Sequence, residues 1–214
     1  MTRNRVLSRF VVVASIAWFV LWACAPTSSN PPPTPMAEQH SREVGFGANA
    51  GTLITVYDCD EIDENIDGEE RVEVAPLANV QGWLRVAVGP DDQHEAGLTG
   101  QMGMPSALSA GGYFRYTIRK NDRFFVGSQF DIGGLWIGTS LPMAVRVSDS
   151  FWLTTMPGAR LNMASNIELP VGIGWQINDK LRLDGEIGGH ALLMGEENWY
   201  DVAPYIAIGL STSE

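Results

Sequence analysis

The chain has 214 residues, 45% of them hydrophobic, with 25 acidic against 14 basic side chains and a formal net charge of -11. That length fits one domain and is enough for a sheet that closes on itself. The acidic balance, without a basic patch carrying interleaved aromatics, excludes a nucleic-acid partner, and two cysteines exclude a disulfide framework.

In chain order, Arg3, Arg5 and Arg9 precede an apolar run from Phe10 to Leu21 and then Leu21-Trp22-Ala23-Cys24. Positive residues, a short apolar run and a small residue before the cysteine predict an export signal over residues 1–23. The run falls short of the roughly twenty residues that a transmembrane helix needs. Its Leu-x-Ala-Cys ending resembles the lipobox of bacterial lipoproteins. The resemblance implies cleavage before Cys24, lipid on that cysteine and, with Ala25 rather than aspartate following, an address in the outer membrane. Loss of residues 1–23 removes three arginines and leaves a mature charge of -14, with Cys59 unpaired. Residues 24–42, which include Thr-Ser-Ser-Asn-Pro-Pro-Pro-Thr-Pro, predict a solvated, partly polyproline spacer.

From Glu43 onward the pattern has period two, because only a pleated chain sends successive side chains to opposite faces. A weak strand over 43–55 leads into an acidic loop at 56–79, where Asp58 to Glu73 holds nine acids in sixteen residues. Strands then follow at 80–89, 94–103, 110–119, 123–135, 137–147 and 151–157, with 158–165 read as loop. The clearest pattern lies in 166–193. There Ile167, Leu169, Val171, Ile173, Trp175 and Ile177 oppose Glu168, Pro170, Gly172, Gly174 and Gln176. After a turn at Asn178-Asp179, Leu181, Leu183, Ile187 and Ala191 oppose Arg182, Asp184, Glu186 and His190. Residues 199–210 close the chain. The expected fold is all-β, an up-and-down antiparallel barrel of about ten strands, with eight as the fallback.

Polar turns at 90–92, 120–122, 148–149 and 178–179 alternate with longer loops, so the short connections share one end of such a meander. Strands of ten to thirteen residues also match the roughly nine to eleven that cross a bilayer on a tilt. Over 43–210 the pattern resembles the small outer-membrane meander barrels of Gram-negative bacteria. The resemblance implies an apolar face towards lipid, aromatic girdles from Phe124, Phe151, Trp175, Trp136, Trp199 and Tyr200, and a monomer with a structural or surface-interaction role. A narrow solute path and a surface or periplasmic protein partner stay open. The lumen would then hold a charge network of Arg85, Arg115, Asp131, Arg146, Glu168, Arg182, Asp184, Glu186 and Asp201, with Arg115, Arg146 and Arg182 expected to pair with Asp131, Glu168 and Asp184. The competing reading turns the same strands inside out, as a soluble lipocalin-like lipoprotein binding a small apolar ligand.

Two stretches bear on further chemistry. Asp63, Asn65, Asp67 and Glu69 supply oxygen atoms at alternate positions around Gly68, the start of an EF-hand-type Ca2+ loop. Val74 stands where the bidentate acid belongs, which favours a merely solvated, self-repelling loop. His190 with Ser140 or Ser165 and an acid could form a hydrolase set. No sequence motif supports it, and a lumenal histidine that fills space is the simpler expectation. His94 and His40 are too scattered for a histidine metal site.

Overall fold

The computed structural model describes residues 32–36, 42–57, 71–89, 94–104, 109–133, 136–161, 165–193 and 199–214. The predicted signal 1–23, Cys24 and the loop acids Asp63, Asn65, Asp67 and Glu69 lie outside the described residues.

The elements are β1 (Arg42–Tyr57), β2 (Arg71–Val88), β3 (His94–Met104), β4 (Ser109–Lys120), β5 (Phe124–Gly133), β6 (Ile137–Ser140), β7 (Met143–Arg146), β8 (Phe151–Thr155), β9 (Gly158–Leu161), β10 (Ser165–Gln176), β11 (Leu181–Leu193) and β12 (Trp199–Ser213). Each pairs antiparallel with its neighbours, and β12 returns to β1 from Tyr57↔Trp199 to Glu43↔Ser213, which closes the sheet. β6 and β7 both pair with β5, and β8 and β9 both pair with β10. Each couple is one barrel strand interrupted at a proline, Pro142 or Pro157, which has no N–H to give to the ladder. Inward and outward residues keep alternating through both breaks, with Ser140, Pro142 and Ala144 buried, and likewise Thr154, Met156 and Arg160. The result, among the described residues, is a closed antiparallel barrel of ten strands without helices.

The turns at 121–123, 147–150 and 177–180 lie at one end, together with Arg42 and Glu214, whose N–H donates to the Arg42 carbonyl at 3.0 Å. Two of these turns are built alike. Asn121 Oδ1 accepts from the Arg123 and Phe124 amides at 3.0 and 2.8 Å, and Asn178 Oδ1 from those of Lys180 and Leu181 at 3.0 and 2.9 Å.

Three expectations about extent need correction. β2 begins at Arg71, so 71–79 is strand and not loop; Val72 to Pro76 are exposed on both faces, a hairpin arm with no buried face to set a period. β9 falls within the expected loop 158–165, because Pro157-Gly158 hides the pattern of a four-residue strand held by β6 and β10. β12 runs three residues past 210, with Ser211 and Ser213 buried inside.

The faces decide between the two barrel readings. Large apolar side chains point outward and stay exposed, including Phe46 at 66%, Leu169 at 63%, Ile187 at 63% and Ile206 at 61%. Buried inside are Arg85, Arg115, Gln129, Asp131, Arg160, Glu168 and Arg182. A water-soluble barrel needs the reverse, since exposing a continuous apolar belt to water opposes the main driving force of folding. The lipocalin-like alternative is therefore overturned by an interior too charged to hold an apolar ligand.

Candidate functional site: the lumen

Two groups of charged residues, with their partners, lie in the described lumen. The one nearer the turns is built on Arg85 of β2 and Arg115 of β4, which are completely buried. Arg85 stands directly across from Glu43, and Arg115 directly across from Glu95. Arg85 Nη1 donates to Glu43 Oε1 at 3.1 Å, and its Nε and Nη2 grip Glu95 Oε1 and Oε2 at 2.9 and 2.8 Å. Arg115 lies 3.1 Å from Glu95 and donates through Nε to Gln129 Oε1 at 3.0 Å. Gln129 passes the chain on, donating to Asp131 Oδ1 at 2.8 Å. From the other side Arg182 of β11 donates to Glu43 at 2.9 Å and to Asp184 at 2.9 Å. It reaches Glu43 over β12, where the inward residues Gly209, Ser211 and Ser213 are small.

This tier carries three guanidinium groups, Arg85, Arg115 and Arg182, against three carboxylates, Glu43, Glu95 and Asp184. Balance of this kind is what burial demands, because an unpaired ion inside a protein costs several kcal/mol or more. Trp83 completes the packing. Its Nε1 donates to Glu43 Oε1 at 3.3 Å, and its indole lies so close over Gly45 and Gly209 that a Cβ on either would collide with the ring. Glycine is required there by close approach.

The second group lies nearer the loops. Tyr205 Oη is 3.0 Å from Glu168 Oε1 and 2.8 Å from Glu186 Oε1, so one hydroxyl proton serves two carboxylates in turn. Arg160 lies 3.7 Å from Asp131 and 3.8 Å from Glu168, with its guanidinium 5.1 Å from the centre of the Trp136 ring. His190 is 1% exposed and stacks on Tyr205 at 5.0 Å; among the described residues neither ring nitrogen has a hydrogen-bond partner. The buried Asp201 Oδ1 and Asn166 Oδ1 are in the same position.

Of the expected lumen set all but Arg146 face inward, and Asp201, though buried there, joins neither group, its Oδ1 making no hydrogen bond among the described residues. Arg146 is the last residue of β7, at the turn end; its side chain is 35% exposed and lies 3.5 Å from Asp149 of the turn. The partners also differ from those expected. Arg115 takes Glu95 and not Asp131 as its nearest carboxylate, Asp131 and Glu168 share Arg160, and Arg182 and Asp184 do pair, but as neighbours on the inner face of β11 and not across the lumen. Glu43, Glu95 and Arg160 were missed. Glu95 had a readable signal, since Glu95, Thr99 and Gln101 recur on one face. Of the outward residues between them, Ala96 and Gly100 are too small to mark the opposite face, which leaves Leu98 alone to do so.

Neither serine completes a hydrolase set. Ser140 Oγ and both His190 nitrogens make no hydrogen bond among the described residues, and Ser165 shares the outward phase of Ile167. No cluster of three or more metal-ligating His, Cys, Asp or Glu occurs among the described residues. Of the expected girdle, Phe151 and Trp175 stack 5.9 Å apart on the outer face by the turns. Trp136 instead turns inward over Gly111 and Gly133, with Nε1 donating to Ser109 Oγ at 3.3 Å. The side chains of Trp199 and Tyr200 lie outside the described residues.

The residues read as a solvated spacer do not all stay in solvent. Pro32, Pro33, Thr34 and Met36 are buried inside the barrel, Thr34 at 1% exposure. Arg85 Nη2 donates to the Thr34 carbonyl at 2.7 Å, and Arg115 Nη1 to the Pro32 carbonyl at 3.2 Å. Around Pro32 and Pro33, a cavity of about 30 Å³ bordered by Gln81, Trp83, Thr154 and Glu186 has room for about one water molecule.

A closed antiparallel barrel, apolar outside and charge-paired inside, defines the class of transmembrane β-barrels. Solved structures agree on the fold. The outer membrane protease OmpT from Escherichia coli matches with a TM-score of 0.53 at 8% identity, over 85% of this chain and 100% of that one. An outer membrane channel from Pseudomonas putida F1 matches with a TM-score of 0.50 at 10% identity, over 89% and 99%. At such identities the likeness is one of fold alone. No family model and no curated protein matches the chain.

Proposed function

We propose that this chain is an outer-membrane β-barrel lipoprotein of a Gram-negative bacterium, anchored by lipid at Cys24, with a structural or surface-interaction role and no catalytic one. The observation that carries the reading is the division of faces, an apolar exterior around a lumen of paired charges. The fold shared with outer-membrane barrels and the lipobox-like Leu21-Trp22-Ala23-Cys24 support the address. A filled lumen favours a scaffold or a surface for a protein partner over a wide pore.

An unheated sample on an SDS gel is expected to migrate faster than a heated one and to need detergent for solubility. Metabolic labelling with palmitate is expected to mark the wild type and not Cys24→Ser. A barrel that stays soluble and monomeric in buffer after removal of the lipid would overturn the membrane reading. Equal labelling of both chains would overturn the anchor while leaving the barrel intact.

A further inference from the structure

The geometry points to Pro32–Met36 as a resident plug that seals the lumen at its arginine tier, and whose withdrawal opens a path for small hydrophilic ions. The inference rests on the reading of the barrel as membrane-spanning.

The chemistry of the segment fits this place. Pro32, Pro33 and Pro35 have no N–H, so this backbone presents acceptors and few donors. It can neither add to the wall as a strand nor leave many donors without partners. Arg85 and Arg115 have the opposite character, donors only. With other N–H groups on Glu43, Glu95 and Gln129, they meet the plug through the Thr34 and Pro32 carbonyls. Proline also fixes the segment near an extended conformation before it enters, which lowers the entropy lost on docking.

The wall is shaped to receive it. Thr34 Cγ2 lies 2.8 Å from where a Cβ on Gly174 would stand, so this strand position is glycine where the plug leans on it. The plug is held by hydrogen bonds and packing, not by pairing with a barrel strand, and the ion pairs of the tier do not depend on it. Removing it therefore leaves the wall's charges balanced.

Two variants in a Cys59→Ser background test this. In the first, Thr34→Cys with Gly174→Cys places two thiols within reach of a disulfide, whose Cβ atoms stand about 3.5–4.5 Å apart. Mild oxidation of the folded, heat-shiftable protein is expected to form that bond. In the second, a chain lacking Pro32–Met36 is reconstituted in planar lipid bilayers with potassium chloride. Its conductance is expected to exceed that of the wild type and of the oxidised double variant by about tenfold or more, because each lost charge-assisted hydrogen bond shifts an equilibrium by about that factor. Failure of the disulfide to form in the folded barrel overturns the plug even if the shortened chain does not fold. So does a folded shortened chain that conducts no better than wild type. If no version floats with lipid vesicles, the membrane reading falls, and the plug with it.

Discussion

Replacing Glu95 by alanine is expected to be among the most damaging single changes in this barrel, costing about 3–5 kcal/mol, the range found when one member of a buried ion pair is removed. Glu95 accepts both the Nε and Nη2 of Arg85, takes the Tyr113 hydroxyl at 2.9 Å and lies 3.1 Å from Arg115. Its loss leaves two fully buried guanidinium groups to share Glu43, Gln129 and the plug carbonyls. Arg85 retains Glu43 at 3.1 Å, whereas Arg115 loses the carboxylate directly across the ladder. Urea unfolding of the protein in lipid vesicles measures the effect as a lower midpoint. Glu95→Gln, which keeps an acceptor and removes the charge, should fall between alanine and wild type. A midpoint for Glu95→Ala equal to that of wild type would mean that the tier contributes nothing to stability.

Reversing Arg182 to glutamate tests the other side of the same tier. The new carboxylate would stand among Glu43 and Asp184, both of which now accept from Arg182 at 2.9 Å. The variant loses two ion pairs and gains a repulsive cluster, so the loss should equal or exceed about 3–5 kcal/mol. Arg182→Met separates the two contributions, since it removes the pairing, keeps much of the volume and adds no negative charge. The expected order of stability is wild type, then methionine, then glutamate. Unfolding of the glutamate variant at the wild-type midpoint would contradict the described pairing.

How much of this could be read from the amino acids depended on contrast between the two faces. The β10–β11 hairpin was legible because large apolar residues such as Ile167 and Ile173 alternate with Glu168, Gly172 and Gly174, and because Asn178 caps its own turn. The charges of its inner row were legible for the same reason, and Glu168 and Arg182 do lie buried in the lumen. Contrast failed in three ways elsewhere. Ala96 and Gly100 weakened the outward row around Glu95, leaving Leu98 as the one large outward residue between them. A proline cut the strand that carries Arg160 into two pieces, each too short to show a period. The start of β2 is exposed on both faces, so its residues carry no burial signal.

The plug was hidden for another reason. A run of prolines, threonines and serines has the composition of a solvated linker, and composition cannot distinguish a segment that lies in water from one whose carbonyls meet buried arginines. Partner choice was equally beyond the pattern. Alternation places a residue on a face, but the stagger of neighbouring strands decides which carboxylate lies opposite which arginine. That is why Arg115 meets Glu95 and Arg160 lies between Asp131 and Glu168.

The central claim is that lipid contacts the apolar face and the charged face is enclosed. Nitroxide labels on single cysteines in a Cys59→Ser background test it most directly, at the outward positions Val171, Ile187 and Ile206 and at the inward Thr154, with the protein in liposomes. The outward labels are expected to collide readily with oxygen, which concentrates in lipid, and rarely with a water-soluble nickel chelate, while the label at 154 is shielded from both. Frequent collision of the nickel chelate with labels at 171, 187 and 206 would place that face in water and contradict the account.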